Sequence, residues 1–178
     1  PGAWLTTDTR AVTVALNLVP FAGVAFLWFI GVLRDRLAQL EDRFFATVFF
    51  GSGLLFLAML FAAAAIIGAI VLVASVSTPH ELMNSATFRF ARAASYIIAN
   101  VYAIKMAAVF MISTSTVVIR TGIAPRWIAY LGFLLALLLL MGSFFISWSF
   151  AVLPLWFFLV SVYIVSDNLV GNSKADGG

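Results

Sequence analysis

The chain has no cysteine and only one histidine among its 178 residues. Disulfides, thiolate metal sites and cysteine nucleophiles are therefore excluded within it, as are bis-histidine haem ligation and the usual zinc sites. We expect no cofactor and no bound metal. The histidine, His80, precedes Glu81, and because adjacent residues on a helix point apart, we do not expect a catalytic pair there.

Charged residues are also scarce. They make up 10% of the chain against 64% hydrophobic residues, whereas soluble domains carry about 25% charged residues. The net charge of +3 forms no basic stripe, so we expect no nucleic-acid partner. Walker, Rossmann, HExxH and nucleophile-elbow motifs are absent as well. The composition indicates a membrane protein and predicts that it is not an enzyme.

Long apolar runs alternate with short polar segments. Runs of about 18 or more apolar residues are typical of helices that cross a bilayer. The sequence predicts an all-α polytopic transmembrane helix bundle with five spans, or four if the last two form one irregular unit. The spans cover residues 11–33, 44–76, 96–119, 128–147 and a last stretch from a hairpin near 148–154 to about Ser166. We expect one transmembrane domain, 1–170, and a flexible tail, 171–178.

The second run is too long for a straight crossing. About 33 residues at 1.5 Å each exceed a hydrocarbon core of about 30 Å. The helix is therefore expected to tilt strongly, project past the membrane, or break near residues 51–53 or Gly68. Small residues one turn apart permit close helix approach within the bundle or in a homodimer. They are Ala64 with Gly68, and Ala65 with Ala69.

The connector 77–95 predicts a short amphipathic helix before the third span. Thr78 fits an N-cap, Pro79 the first helical position and Glu81 the third. Apolar residues then recur at three- to four-residue spacing. This helix is expected to lie at the membrane interface or to lead directly into the third span.

A proline interrupts the first run. Pro20 cannot donate to the carbonyl of Leu16, so the helix is expected to kink there. Asn17 lies three residues away on the same face, where its amide is expected to pair with a carbonyl that the kink frees. The alternative is a ligand site lined by the opened backbone.

Lys105 is the one acidic or basic side chain well inside an apolar run. A charge at mid-membrane costs from about 2.5 to over 10 kcal/mol, so such residues usually face an interior or a wet cavity. Lys105 predicts an anion or lipid-headgroup site, or an ion pair with a partner subunit. The alternative is a side chain that snorkels to the interface. The candidate intramembrane polar site comprises Lys105, Asn17, Tyr102 and Thr116.

The remaining positive charges favour one orientation. Alternate connectors place six Lys and Arg on one side and three on the other. The richer side is expected to be cytoplasmic, with the N-terminus outside and the C-terminus inside. Contacts with anionic headgroups, worth about 1 kcal/mol each, are expected at Arg34, Arg36, Arg43, Arg120 and Arg126. The mixed-charge segment 34–43 is most simply a solvated connector.

Three stretches, FLWFIGVLRDRL, EDRFFATVFFGSGLLFLAML and RTGIAPRWIAYLG, resemble uncharacterised multi-pass membrane proteins of actinobacterial type. The resemblance implies a bacterial inner-membrane protein and carries no active site. We expect a non-enzymatic subunit of a homo-oligomer or larger membrane complex, with membrane lipids as further partners. The alternative is a small channel or carrier that uses Lys105 to handle an anionic or lipid-like solute. A membrane enzyme ranks third.

Overall fold

The computed structural model describes residues 9–38, 43–76, 78–122, 124–142 and 149–175, and all regular structure in these ranges is helical. The predicted all-α class is confirmed. The first four helices are α1, Thr9–Ala38; α2, Arg43–Ala74; α3, Pro79–Asn84; and α4, Ala86–Ile97. A π-helical segment, Ile98–Ala103, joins α4 to α5, Ile104–Thr121, and the last two helices are α6, Arg126–Gly142, and α7, Ser149–Ala175.

Three helical stretches in the described part of the chain are long and apolar enough to cross a membrane. They are Thr9–Val32, Ala46–Ala74 and Ala86–Thr121, with 24, 29 and 36 residues. The structure is thus compatible with a membrane protein, but the five predicted spans are not confirmed. α6 has 17 residues, or about 25 Å of helix, less than a hydrocarbon core of about 30 Å. The apolar part of α7, Ala151–Tyr163, is shorter still.

The second predicted span is one continuous helix. α2 passes through residues 51–53 and through Gly68 without interruption, so a break at either place is excluded. An unbroken helix satisfies its own backbone hydrogen bonds, which lipid cannot do. Tilt or projection therefore remains as the way to accommodate the 32 residues of α2.

The connector before the third span forms two helices rather than one. Thr78 is the N-cap of α3 with Pro79 in its first turn, as predicted, and its hydroxyl donates to Glu81 Oε2 at 2.6 Å. Ser85 then starts α4, because its hydroxyl oxygen accepts the Phe88 N–H at 3.1 Å. α4 continues through the π-helical segment into α5, so the connector leads directly into the third span.

The C-terminal part also differs from the prediction. α7 begins at Ser149 and holds Pro154 inside it, at the sixth residue rather than in the first turn. A hairpin over 149–154 is therefore wrong, and Trp148 lies outside the described residues. α7 continues to Ala175, past the predicted end of the span at Ser166. The flexibility expected of 171–178 stays a prediction.

An aromatic cluster fills the bundle toward the α1–α2 and α5–α6 connections. Phe110 of α5 is fully buried. Its ring centroid lies 5.3 Å from that of Phe26 in α1, 4.7 Å from Phe49 in α2 and 5.4 Å from Phe157 in α7. Four helices therefore meet at one side chain. Aromatic pairs at such distances add stabilisation beyond the area they bury.

Two glycines allow the closest helix contacts. A Cβ on Gly53 would meet Ile30 at 2.7 Å and Phe110 at 2.8 Å. A Cβ on Gly132 of α6 would overlap Ser115 Oγ of α5 and would lie 2.7 Å from the Trp156 ring of α7. Helices thus cross tightly at these points because no side chain separates them.

The small-residue seam on α2 is packed differently. A Cβ on Gly68 would have only Leu16 within 4 Å, at 3.9 Å. Ala65 and Ala69 are exposed in the described part of the chain. The seam predicted for close helix approach is therefore not a tight contact within the chain, and its use in a homodimer stays a prediction.

Candidate functional site

A cleft of about 900 Å³ opens between α1, α2 and the stretch formed by α4 and the π-helical segment. We call it the α1–α2–α4 cleft. Its lining comes from residues 12–19 of α1, 60–70 of α2, and 89–100 of α4 and the π-helical segment. Ten residues of helix rise about 15 Å, so the cleft is about that long. Most of its walls are aliphatic, with Leu16, Leu60 and Ile67 as examples.

The cleft exists because α1 packs tightly over only part of its length. A Cβ on Gly23 would meet the Phe61 ring at 2.5 Å, and Ile30 is fully buried. Nearer the N-terminus, none of the described residues before Gly23 is buried. The close contacts of α1 thus lie in its C-terminal half, near the aromatic cluster, and the cleft lies beside its N-terminal half.

Pro20 lies within a continuous α1, between these two parts. Its ring cannot donate to the carbonyl of Leu16, and Leu16 lines the cleft. The Asn17 amide donates to the Thr13 carbonyl at 2.8 Å, one turn back along a regular helix. The predicted pairing of Asn17 with the carbonyl that Pro20 frees is therefore wrong.

Two arginines lie at one end of the cleft. Arg89 and Arg92 both line it and are exposed, and residues three apart share a helix face. Phe88 of α4 is in one buried cluster with Ile70 of α2. Ile70 lies four residues, about 6 Å, before the end of α2. The arginine end is thus the end of the cleft near the helix termini, and Asn100 and Leu60 mark the deep end.

The arginine pair has no described counter-charge. Glu81 is the one acidic side chain in the part of the chain whose side chains the structure describes, and its carboxylate accepts from Thr78. Within that same part, neither guanidinium has a hydrogen bond or an ion pair. Like charges three or four residues apart on a helix repel one another. An anion between the two guanidiniums would offset that repulsion and gain charge-assisted hydrogen bonds.

Ser95 and Asn100, two other polar residues of the cleft, are bonded locally, whereas the Tyr96 hydroxyl has no hydrogen bond among the described residues. The Ser95 hydroxyl donates to the Arg92 carbonyl at 3.0 Å. The Asn100 amide donates to the Tyr96 carbonyl at 3.1 Å. Because both side chains bind the backbone of their own helix, the two arginines are the main groups left to bind a charged ligand.

Lys105 does not line the cleft. It is the second residue of α5 and is half-buried, and it has no hydrogen bond or ion pair among the described residues. Gly132 faces Ser115 across the antiparallel pair of α5 and α6. Lys105 lies ten residues before Ser115 and Gly142 lies ten residues after Gly132, so the antiparallel pair places Lys105 level with Gly142, the last residue of α6. A helix C-terminus carries partial negative charge, which favours a cation beside the end of α6.

The predicted polar site is not assembled by any hydrogen bond among the described residues. Asn17 is bonded to the backbone of α1, and the Thr116 hydroxyl donates to the Ile112 carbonyl at 2.9 Å. Tyr102 is 55% exposed. A joint role for these three residues and Lys105 stays a prediction.

The arginines predicted to bind headgroups lie at helix ends. The Arg34 guanidinium carbon is 5.1 Å from the Phe50 ring centroid, a cation–π distance. Arg120 and Arg126 are exposed and flank the turn at Gly122, which has a φ of 68°. The side chains of Arg36 and Arg43 lie outside the described residues. Headgroup contacts at all five stay predictions.

The described residues form an all-α structure that is compatible with a membrane protein and has a cleft between its apolar helices. Comparisons of the chain with known protein families, with curated proteins and with solved structures found no match. The resemblance to actinobacterial multi-pass proteins is thus untested. The geometry of the cleft is therefore the main guide to function.

Proposed function

We propose that the protein is a non-enzymatic carrier or binding protein that holds the hydrocarbon chain of a lipid-like molecule in the α1–α2–α4 cleft. The observation that supports this is a space of about 900 Å³ with mainly aliphatic walls, set among helices apolar enough to cross a membrane. Atoms that line a void lose dispersion contacts. An acyl chain restores those contacts, and the bilayer supplies such chains at high concentration.

Filling the cleft tests this proposal. Ala93 lines the cleft and is exposed on α4, whereas Ala62 is an exposed alanine of α2 that does not line it. We expect the protein, washed in a delipidating detergent, to retain one phospholipid per chain in native mass spectrometry. Ala93→Trp should reduce this occupancy at least fivefold because the indole takes the space of the chain. Ala62→Trp should retain it.

Two outcomes would overturn the proposal. One is a wild-type protein that retains no lipid under conditions in which it stays folded. The other is an equal loss of lipid in both tryptophan variants, which would mean that the lipid binds the outer surface and not the cleft.

A second candidate function is that of a subunit in a homo-oligomer or larger membrane complex. One observation favours it: the seam formed by Ala64, Ala65, Gly68 and Ala69 is not closely packed within the chain. A groove of about 250 Å³ lies along it between α1 and α2. Small residues at this spacing let a second helix approach closely. In native mass spectrometry of the wild-type protein, a reproducible dimer or second protein would favour this candidate.

For location, we propose the bacterial inner membrane with the N-terminus outside and the C-terminus inside. The excess of Lys and Arg on alternate connectors supports this orientation. The lack of native cysteine makes single labels simple to read. A membrane-impermeant thiol reagent should label Ser85→Cys from outside the cell and Ala38→Cys only after the membrane is opened. Labelling of both from one side would contradict the proposal.

A further inference from the structure

We infer that Arg89 and Arg92 bind the phosphate of an anionic phospholipid whose acyl chain lies in the α1–α2–α4 cleft. This inference rests on the proposed function and names its ligand class. Both arginine residues line the same end of one aliphatic cleft. Both are exposed, and neither has a carboxylate partner among the described side chains. Their charges therefore complement an anion attached to an apolar chain.

The dimensions of the cleft fit one leaflet of a bilayer. From Arg89 to Asn100 the lining spans eleven helical rises of 1.5 Å, or about 16 Å. Half of a hydrocarbon core of about 30 Å is about 15 Å. A chain that reaches Asn100 would therefore have its headgroup at the arginines.

The position of the two arginines relative to the membrane surface agrees with a lipid headgroup at their end of the cleft. Arg89 follows Phe88, which packs with Ile70 about 6 Å before the end of α2. Headgroup layers are about 5–8 Å thick on each side of the core. With the end of α2 at the outer edge of the headgroup layer, the phosphate of a lipid in the cleft and the two guanidiniums would occupy the same layer.

The chemistry of the headgroup predicts a preference. Guanidinium groups bind phosphate oxygens with paired, charge-assisted hydrogen bonds. Phosphatidylcholine offers the same phosphate but adds a quaternary ammonium that the two arginines repel. Phosphatidylglycerol has no such cation. The site should therefore select the lipid with a net negative charge.

Competition between these two lipids tests the inference. The full chain is incubated in mild detergent with equal amounts of phosphatidylglycerol and phosphatidylcholine carrying identical chains, and native mass spectrometry counts each bound lipid. We expect the wild-type protein to prefer phosphatidylglycerol by about 5-fold if one arginine contributes and about 30-fold if both do. The double variant Arg89→Gln/Arg92→Gln should still bind one lipid, with a ratio near one.

Two matched controls remove other cations. Lys105→Gln removes a charge in α5 outside the cleft lining, and Arg126→Gln removes an exposed charge at the start of α6. Both should keep the wild-type ratio. If Lys105→Gln abolishes the preference and the double arginine variant keeps it, the headgroup site belongs to Lys105 and the inference is wrong.

The remaining outcomes separate the inference from the proposed function. A wild-type protein that binds one lipid in its cleft without headgroup preference would overturn the inference and leave the proposed function intact. Failure to bind either lipid would overturn both. Excess inorganic phosphate at constant ionic strength should leave the preference unchanged; its loss would show a site for a free anion and overturn the assignment to a lipid.

Discussion

Replacing Phe110 by alanine is expected to lower the free energy of unfolding by about 2–4 kcal/mol. The ring is fully buried and contacts aromatic rings from three other helices, so its removal leaves a cavity that several helices must share. In water-soluble cores the same change costs about 3–5 kcal/mol. The value here should be lower because the unfolded chain in a membrane leaves the ring in lipid and not in water.

Unfolding of the detergent-solubilised protein by added dodecyl sulfate, followed by circular dichroism, would measure the loss. Phe158→Ala is the matched control, because Phe158 is 69% exposed on α7. It should change the free energy of unfolding by less than about 0.5 kcal/mol. Equal effects of the two variants would mean that the aromatic cluster does not hold the four helices together.

Replacing Gly132 by alanine is expected to destabilise the protein by about 1–3 kcal/mol, the usual cost of overpacking. A methyl group there would overlap Ser115 Oγ and press on the Trp156 ring. Trp156 cannot easily withdraw, since it is buried and its indole N–H donates to the Ile128 carbonyl at 3.4 Å. The change should therefore push α5, α6 and α7 apart.

Replacing Gly31 by alanine is expected to stabilise the protein, the opposite of the effect expected for Gly132→Ala. A Cβ on Gly31 of α1 would meet no atom within 4 Å, so only helix propensity changes, and alanine gains up to about 1 kcal/mol over glycine. The same dodecyl sulfate titration compares the two variants. If Gly132→Ala were as well tolerated as Gly31→Ala, the three helices would have room to move apart at this crossing.

The sequence predicts features that depend on local chemistry. The start of α3 at Thr78 and Pro79 follows from local residue preferences, and the structure confirms its position, with the Thr78 hydroxyl bound to Glu81 and not to a backbone N–H. Of the three ways to accommodate the second run, a break near residues 51–53 is excluded, because glycine interrupts helices less readily in lipid, where an unsatisfied backbone costs several kcal/mol. The number of spans is not confirmed, because apolarity alone does not separate a crossing helix from short helices such as α6.

The cleft is a feature that the sequence does not predict. Its walls come from three helices, and it opens where α1 stops packing closely, which no local pattern encodes. Arg89 and Arg92 nevertheless leave a signal: two cations three residues apart on a helix predicted to be amphipathic. In the sequence they count only as charges that set orientation. Lys105 stands out because it is isolated in an apolar run, yet isolation says nothing about which residues share a cleft.

The π-helical segment sets how far α4 is rotated about the helix axis relative to α5. Six residues, Ile98–Ala103, wind more slowly than an α-helix, so the segment absorbs an extra residue. Wound as regular α-helix, the same residues would turn α4 by about 100° relative to α5, the rotation of one helical residue. With α5 held by α6, that turn would carry Arg89 and Arg92 off the cleft. The π-helical segment thus decides whether Arg89 and Arg92 face the cleft.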